Sequence, residues 1–140
     1  MIRKTVLIMI LAMLLGLTSV YAVAGSGYAL NNSDMIIVPL WEHTKKVTPT
    51  ISFSSGIYSG QISGSSDVTK ISMTVILSEK NANGTYSEVS RISNSSDSNF
   101  VTKSSTYSYV KGKTYKVTVT GKVYVGSTYE NVEGSTTATY

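Results

Sequence analysis

The sequence predicts an all-β fold, an antiparallel β-sandwich of seven or eight strands preceded by an apolar signal-peptide helix. Three observations predict it. From residue 25 onward Ser and Thr supply 37 of 116 residues, with Tyr, Val and Ile giving most of the bulk, a mixture that suits pleated, half-buried surfaces and the turns between them. Two segments alternate apolar and polar residues with a period of two, as a strand with one wet face requires. No stretch in this part repeats apolar residues at helical spacing, and its only alanines are Ala29, Ala82 and Ala138. A disordered Ser/Thr-rich stalk would lack the alternation.

The first element is the leader. Arg3 and Lys4 precede a run from Thr5 to Leu17 that is apolar apart from Thr5 and Gly16, and small or weakly polar residues lead on to Ala22-Val23-Ala24. That is the order of a secretory signal peptide, with cleavage after Ala24 the first choice and after Ala22 the second. Thr5 to Ala24 is twenty residues and would just span a bilayer as an uncleaved anchor. Thr18, Ser19 and Tyr21 weaken that alternative. Either way the rest of the chain is exported, and the leader is its one membrane element. Residues 25–34 read as a flexible segment and 35–140 as the sandwich domain.

The strands follow in order. Pro39 and Pro49 cannot donate to a ladder, so their segments belong at edges. Met35–Leu40 is the expected first edge strand, followed by Thr50–Phe53 and Ile57–Ile62. The clearest alternation comes next, with Ile71, Met73, Val75 and Leu77 set against Ser72, Thr74 and Ser78, and Ile76 out of phase. It predicts a strand over Thr69–Glu79. Asn81-Ala82-Asn83-Gly84 is a hairpin loop by composition. Thr85–Ile92 carries Tyr86, Val89 and Ile92 at imperfect spacing, and Phe100–Tyr109 is the next strand after a polar turn at Asn94–Asn99. Thr114–Val125 alternates Tyr115, Val117, Val119, Gly121, Val123 and Val125 against polar residues broken only by Tyr124; Gly121 is read as a bend or bulge. Tyr129–Tyr140 completes the set.

Val110, Gly112, Tyr115, Val117 and Val119 resemble the apolar-x-Gly-x-x-Tyr-x-Val-x-Val run at the sixth strand of immunoglobulin-like and fibronectin type III domains. The resemblance implies a tyrosine corner, in which the Tyr115 hydroxyl bonds back to the backbone of the preceding corner and Gly112 forms the turn. Val117 stands where an immunoglobulin places its second cysteine, so the disulfide form is excluded. Over a longer span, Ile37-Val38-Pro39-Leu40-Trp41, Leu77-Ser78-Glu79-Lys80, Gly84-Thr85-Tyr86 and Gly112-Lys113-Thr114-Tyr115 resemble a family of small secreted proteins of Gram-positive bacteria. That resemblance implies a secreted sandwich and no particular activity.

Composition excludes several chemistries. The chain has no cysteine, which removes a disulfide scaffold, a Cys₄ zinc site, a thiol nucleophile and a lipid-modified leader cysteine. Twelve Lys and Arg face eight Asp and Glu, and removing Arg3 and Lys4 leaves +2, too little for a nucleic-acid footprint. His43 is the only histidine, so a Ser-His-acid hydrolase would have to combine it with Ser33 or Ser55 and Asp34 or Glu42. No serine sits in a Gly-x-Ser-x-Gly elbow, and beside Glu42, Lys45 and Lys46 the histidine reads as part of a solvated connection. Glu79 and Glu88 flank one hairpin, as glycosidase carboxylates would, but a flat hairpin offers no cleft, and pairing with Lys80 and Arg91 is the simpler expectation. Asn94, Asp97 and Asn99, with Asp67 elsewhere, are oxygen-rich but lack the glycine and terminal acid of a calcium loop. No metal or other cofactor is expected.

Aromatic residues are the better lead. Nine tyrosines lie beyond the leader, with Trp41, and their flat apolar faces and polar edges suit stacking on sugars or anchoring a protein. Tyr124, out of phase in its strand, should face solvent with Lys122 and Lys116. Trp41, Tyr124, Lys116 and Lys122 are therefore the candidate binding residues, and Tyr115 and Gly112 the structural ones. The expected protein is a secreted, non-enzymatic interaction or structural module at the cell surface or in the medium, with a protein or a cell-wall glycan as partner. A carbohydrate- or cell-wall-binding module is the first alternative and a small hydrolase the second.

Overall fold

The computed structural model describes the backbone of residues 28–31 and 36–39 and all of residues 40–140. The expected leader, its helix and its cleavage site lie outside the described residues. Nine strands are seen: β1 (Tyr28–Asn31), β2 (Ile36–Pro39), β3 (Thr44–Ser52), β4 (Ile57–Gly64), β5 (Lys70–Lys80), β6 (Tyr86–Ser96), β7 (Phe100–Thr106), β8 (Thr114–Val125) and β9 (Thr128–Thr139). β1 and β2 pair antiparallel with each other, Tyr28 opposite Pro39 and Asn31 opposite Ile36. Two expectations change here. Residues 28–31 are a strand rather than flexible chain, because each β-prone segment finds its ladder partners in the other. Ile36–Pro39 is likewise a strand of this hairpin and not the edge of the sandwich. The sandwich itself belongs to the compact unit Trp41–Tyr140.

That unit is a β-sandwich of seven antiparallel strands in two packed sheets, β3-β4-β7 and β6-β5-β8-β9. β3 begins six residues earlier than the expected Thr50, carrying Pro49 within it. An edge strand has one side without ladder partners, so a residue lacking an N–H is tolerated there. At the other extreme, β7 ends at Thr106, and Tyr107 and Tyr109 leave the ladder to pack on Tyr115.

The core is built where the alternation said. Ile71, Met73, Val75 and Leu77 of β5, Tyr115, Val117, Val119 and Val123 of β8 and Val132 of β9 are buried on one sheet, facing Tyr58 and Ile62 of β4 and Val101 of β7 on the other. Ile76 points to the outer face, opposite Arg91 and Thr118. The imperfect spacing in β6 has a local cause: Leu77 pairs with Ser90 but Ser78 with Glu88, so Val89 is an extra residue, a β-bulge that reverses the phase of the strand. Gly121 is not a bulge. Register runs unbroken through it to both neighbours, and its missing side chain makes room for Ile62, whose Cδ1 would lie 2.4 Å from an added Cβ.

One end of the sandwich is aromatic. Tyr115 is fully buried, its ring centroid 4.9 Å from Tyr109 and 5.8 Å from Tyr107, and Phe53 stacks on Tyr140 at 4.9 Å. The Val110 N–H donates to the Tyr115 hydroxyl at 3.0 Å, closing the corner. Gly112 turns it at φ 80°, a backbone conformation that side chains disfavour. Burial pushes the Tyr109 phenol up to about 12, and its hydroxyl donates to the Ile57 carbonyl.

Candidate functional site

Burial of one phase of β5 and β8 puts the other phase on the outer face of the four-stranded sheet. Register aligns Ser95, Ser72, Lys122 and Asn131 in one row across the strands and Ser93, Thr74, Thr120 and Glu133 in the next. These rows floor a shallow depression of about 710 Å³, whose lining includes all of them except Glu133. Its polar surface is supplied by short hydroxyl side chains, Asn94 and Asn131 and the Lys122 ammonium, with the Asn94 amide already donating to the Thr102 carbonyl.

Tyr124 lies in the next row along the same face, opposite Lys70 and beyond the residues that line the depression. Across the β8–β9 turn it faces Tyr129, the ring centroids 5.5 Å apart and the planes tilted by 49°. The Lys122 ammonium lies 4.2 Å from the centre of the Tyr129 ring, a cation–π contact. Tyr124 and Lys122 are thus brought together as expected on one face, and the structure adds Tyr129, which is half-exposed. Its place was readable from the turn at Gly126-Ser127, which sets residue 129 opposite 124 once a tight hairpin is assumed. Lys116 shares the face but stands six residues along β8 from Lys122, about 20 Å away. There it lies 4.7 Å from the centre of the Tyr86 ring. Trp41 is elsewhere again: it precedes β3 and packs half-buried against the core, so its ring caps the core rather than presenting a surface.

The other candidates are dispersed. The His43 Nδ1 lies 2.7 Å from Asp67 Oδ2, while the Ser65 hydroxyl donates to the other Asp67 oxygen and the Ser65 N–H to the His43 carbonyl. Ser65 therefore binds the acid and not the imidazole, so Ser65 and His43 do not form a nucleophile pair. Ser55 bonds to Ser52 in the β3–β4 turn, at the far end of β3 from His43, and Ser33 and Asp34 lie outside the described residues. Glu42 approaches His43 Nε2 only to 3.9 Å. Asp67 as partner could not be read from the sequence, because only folding brings the β4–β5 loop to the start of β3. Glu130 was missed for the same reason. Its carboxylate accepts from the Glu42 and His43 N–H groups and from the Thr44 hydroxyl, at 3.0, 3.1 and 2.6 Å, and so ties β9 to the start of β3.

Glu79 and Glu88 lie on opposite faces of the sheet, which removes them as a pair across a cleft. Glu88 takes both bonds of Arg91, which hold its carboxyl below the usual range. Glu79 pairs with Lys113 at 2.9 Å rather than with Lys80, since neighbouring residues of a strand point to opposite faces. The Asn94 amide donates to the Thr102 carbonyl and the Asn99 carbonyl accepts from Gly64, so both serve the fold. Among the described residues no three His, Cys, Asp or Glu side chains gather as a metal site would require.

The clasp at His43 has a measurable acid dependence. The Ser65 hydroxyl, with His43 adding, holds the Asp67 carboxyl below its ordinary value. A depressed carboxyl stabilises the folded state above its unfolded value, and that contribution is lost as pH falls through the folded one. Lowering the pH from about 5 to about 2 should therefore depress the thermal midpoint of the wild type more than that of Asp67→Asn. Parallel acid profiles would show that the clasp contributes nothing.

A scan of the sequence against protein-family models finds no match, and a search of curated proteins finds none. What the fold and the face define is an all-β, two-sheet sandwich of 3+4 strands with a hydroxyl-lined outer depression. Its use must be read from that chemistry.

Proposed function

We propose that this chain is an exported, non-enzymatic interaction module, fibronectin-III-like in its sandwich, which recognises its partner on the outer face of the four-stranded sheet. The observation that carries the reading is the hydroxyl-floored depression with the Tyr124–Tyr129 pair one row beyond Lys122 on the same face: an open polar surface with aromatic rings beside it, suited to holding a ligand. The fibronectin-III assignment has two supports. An immunoglobulin constant domain seats its fourth strand beside the fifth, in the sheet of the first two; here the fourth, β6, pairs with the third, β5, and leaves β3-β4-β7 with three strands. The tyrosine corner at Tyr115 is the second. Export rests on the leader and on the resemblance to small secreted proteins of Gram-positive bacteria.

A carbohydrate- or cell-wall-binding module is the more specific second reading, favoured by the density of hydroxyls on the floor. A glycan and cell-wall array probed with the exported protein tests both. Tyr124→Ala should weaken binding to the partner found and remain folded by circular dichroism, whereas His43→Ala should bind as the wild type does. A folded His43→Ala variant without activity would overturn the non-enzymatic reading. Intact-mass measurement of the exported protein should find a chain beginning at Gly25, and a species beginning at Met1 would refute cleavage.

A further inference from the structure

We propose that the depression on the four-stranded sheet binds a phosphodiester-linked polyol chain laid across its strands. The proposal rests on the reading of this face as the recognition surface and names its ligand. The ladder registers put Lys70, Lys80, Arg91, Lys116 and Lys122 on the outer face against only Glu88 and Glu133. Arg91 is consumed by Glu88, to which it makes two hydrogen bonds, at 2.9 and 2.6 Å. None of the four lysines forms an ion pair among the described residues. The outer-face ladder positions of the other sheet carry one cation, Lys46. Counted over these ladder positions, the face that holds the depression carries a net charge of +3, against +1 on the outer face of the other sheet.

The chemistry of the floor narrows the ligand. Ser72 and Thr120 can each donate and accept, as can the Asn131 amide, and Thr74 and Ser93, bonded to each other at 3.1 Å, keep one donor between them; together they match a chain of hydroxyls. Four strands at their usual spacing span about 14 Å, room for about two repeats of a short polyol phosphate. Planar, two-point recognition of carboxylates is the work of arginine, and the one arginine here is taken. Lysine is a compact point charge, suited to the two non-bridging oxygens of a phosphodiester. A protein partner would want a large apolar anchor at the centre of the patch, and the centre holds only hydroxyls. A nucleic acid would want separate stacking platforms along its path, and the two rings at Tyr124 and Tyr129 pack on each other at one end.

The test measures retention of the exported protein on immobilised poly(glycerol phosphate), polygalacturonate, dextran and single-stranded DNA at two salt concentrations. Poly(glycerol phosphate) should bind best and lose affinity as salt rises. Lys122→Gln combined with Lys70→Gln should weaken binding at least about tenfold, the scale of a lost hydrogen bond to a charged group. Thr120→Val should weaken it less, and Lys46→Gln, on the other sheet, should leave it unchanged. Equal binding to DNA would reduce the effect to net charge, and preference for polygalacturonate or dextran would replace the ligand; each overturns the proposal. If the preferred polymer is then lost on Tyr124→Ala, the recognition face survives that failure. Sensitivity to Lys46→Gln as great as to the lysine pair would overturn both.

Discussion

Gly60→Ala is expected to destabilise the sandwich by about 3 kcal/mol, the upper range for overpacking a core. Gly60 lies in the middle of β4, against the two central strands of the opposite sheet. A Cβ there would stand 2.5 Å from Val75 Cγ2 and 2.6 Å from Val119 Cγ2. Both valines are fully buried on the two central strands of the opposite sheet, and β-branched side chains have few rotamers into which to retreat. The methyl can be admitted only if the sheets separate, which loosens every layer on either side. Urea unfolding of Gly60→Ala, Val119→Ala and the double variant measures this directly. The double variant should be more stable than the sum of the two losses by at least about 1 kcal/mol, because the smaller residue vacates the space the methyl needs. An unchanged midpoint in Gly60→Ala would mean that the sheets are not in contact at this layer.

The second large effect belongs to Tyr115, where two substitutions separate two roles. Tyr115→Ala should cost about 4 kcal/mol, since it removes a fully buried ring from among Tyr109, Tyr107 and Phe53. Tyr115→Phe keeps the ring and removes only the acceptor of the Val110 N–H, and should cost about 1 kcal/mol or somewhat more. Tyr124→Phe is the control on the wet face and should stay within about 0.5 kcal/mol of wild type. Thermal melts of the three decide the matter. Equal midpoints for the two Tyr→Phe variants would remove the corner as a stabilising device and, with it, one of the two supports for the fibronectin-III arrangement.

The corner shows what makes a feature legible in a sequence. Gly112, Tyr115, Val117 and Val119 lie within eight residues, and the hydrogen bond they build is local, from residue 110 to residue 115. Period-two alternation is local too, and it located β5 and β8 to within a residue because one face of each is buried along its whole length. β6 was harder, because the bulge at Val89 reverses its phase halfway, and β3 was harder because Pro49 looks like a break until its strand is known to be an edge.

The candidate site divides along the same line. Placement of Tyr124 and Lys122 on one wet face followed from strand period, since residues two apart in a strand must share a side. Their partners followed less directly. Tyr129 and Asn131 could be placed only by assuming a tight turn at Gly126-Ser127, and Ser72 joins them only through the register between β5 and β8. Trp41 and Lys116 had the residue types of a binding surface, yet one is drawn against the core and the other stands at the far end of the sheet.

By itself, then, the sequence determined the all-β class, the extents of the best-patterned strands and the corner around Tyr115, for each is governed by forces between residues close along the chain. Tertiary structure alone decided that β7 joins β4, that Asp67 meets His43, that Glu130 ties β9 to the start of β3 and that Gly121 serves packing against Ile62. Each of these contacts joins segments far apart in the chain. Their energies depend on the path of the whole backbone, which no local pattern encodes.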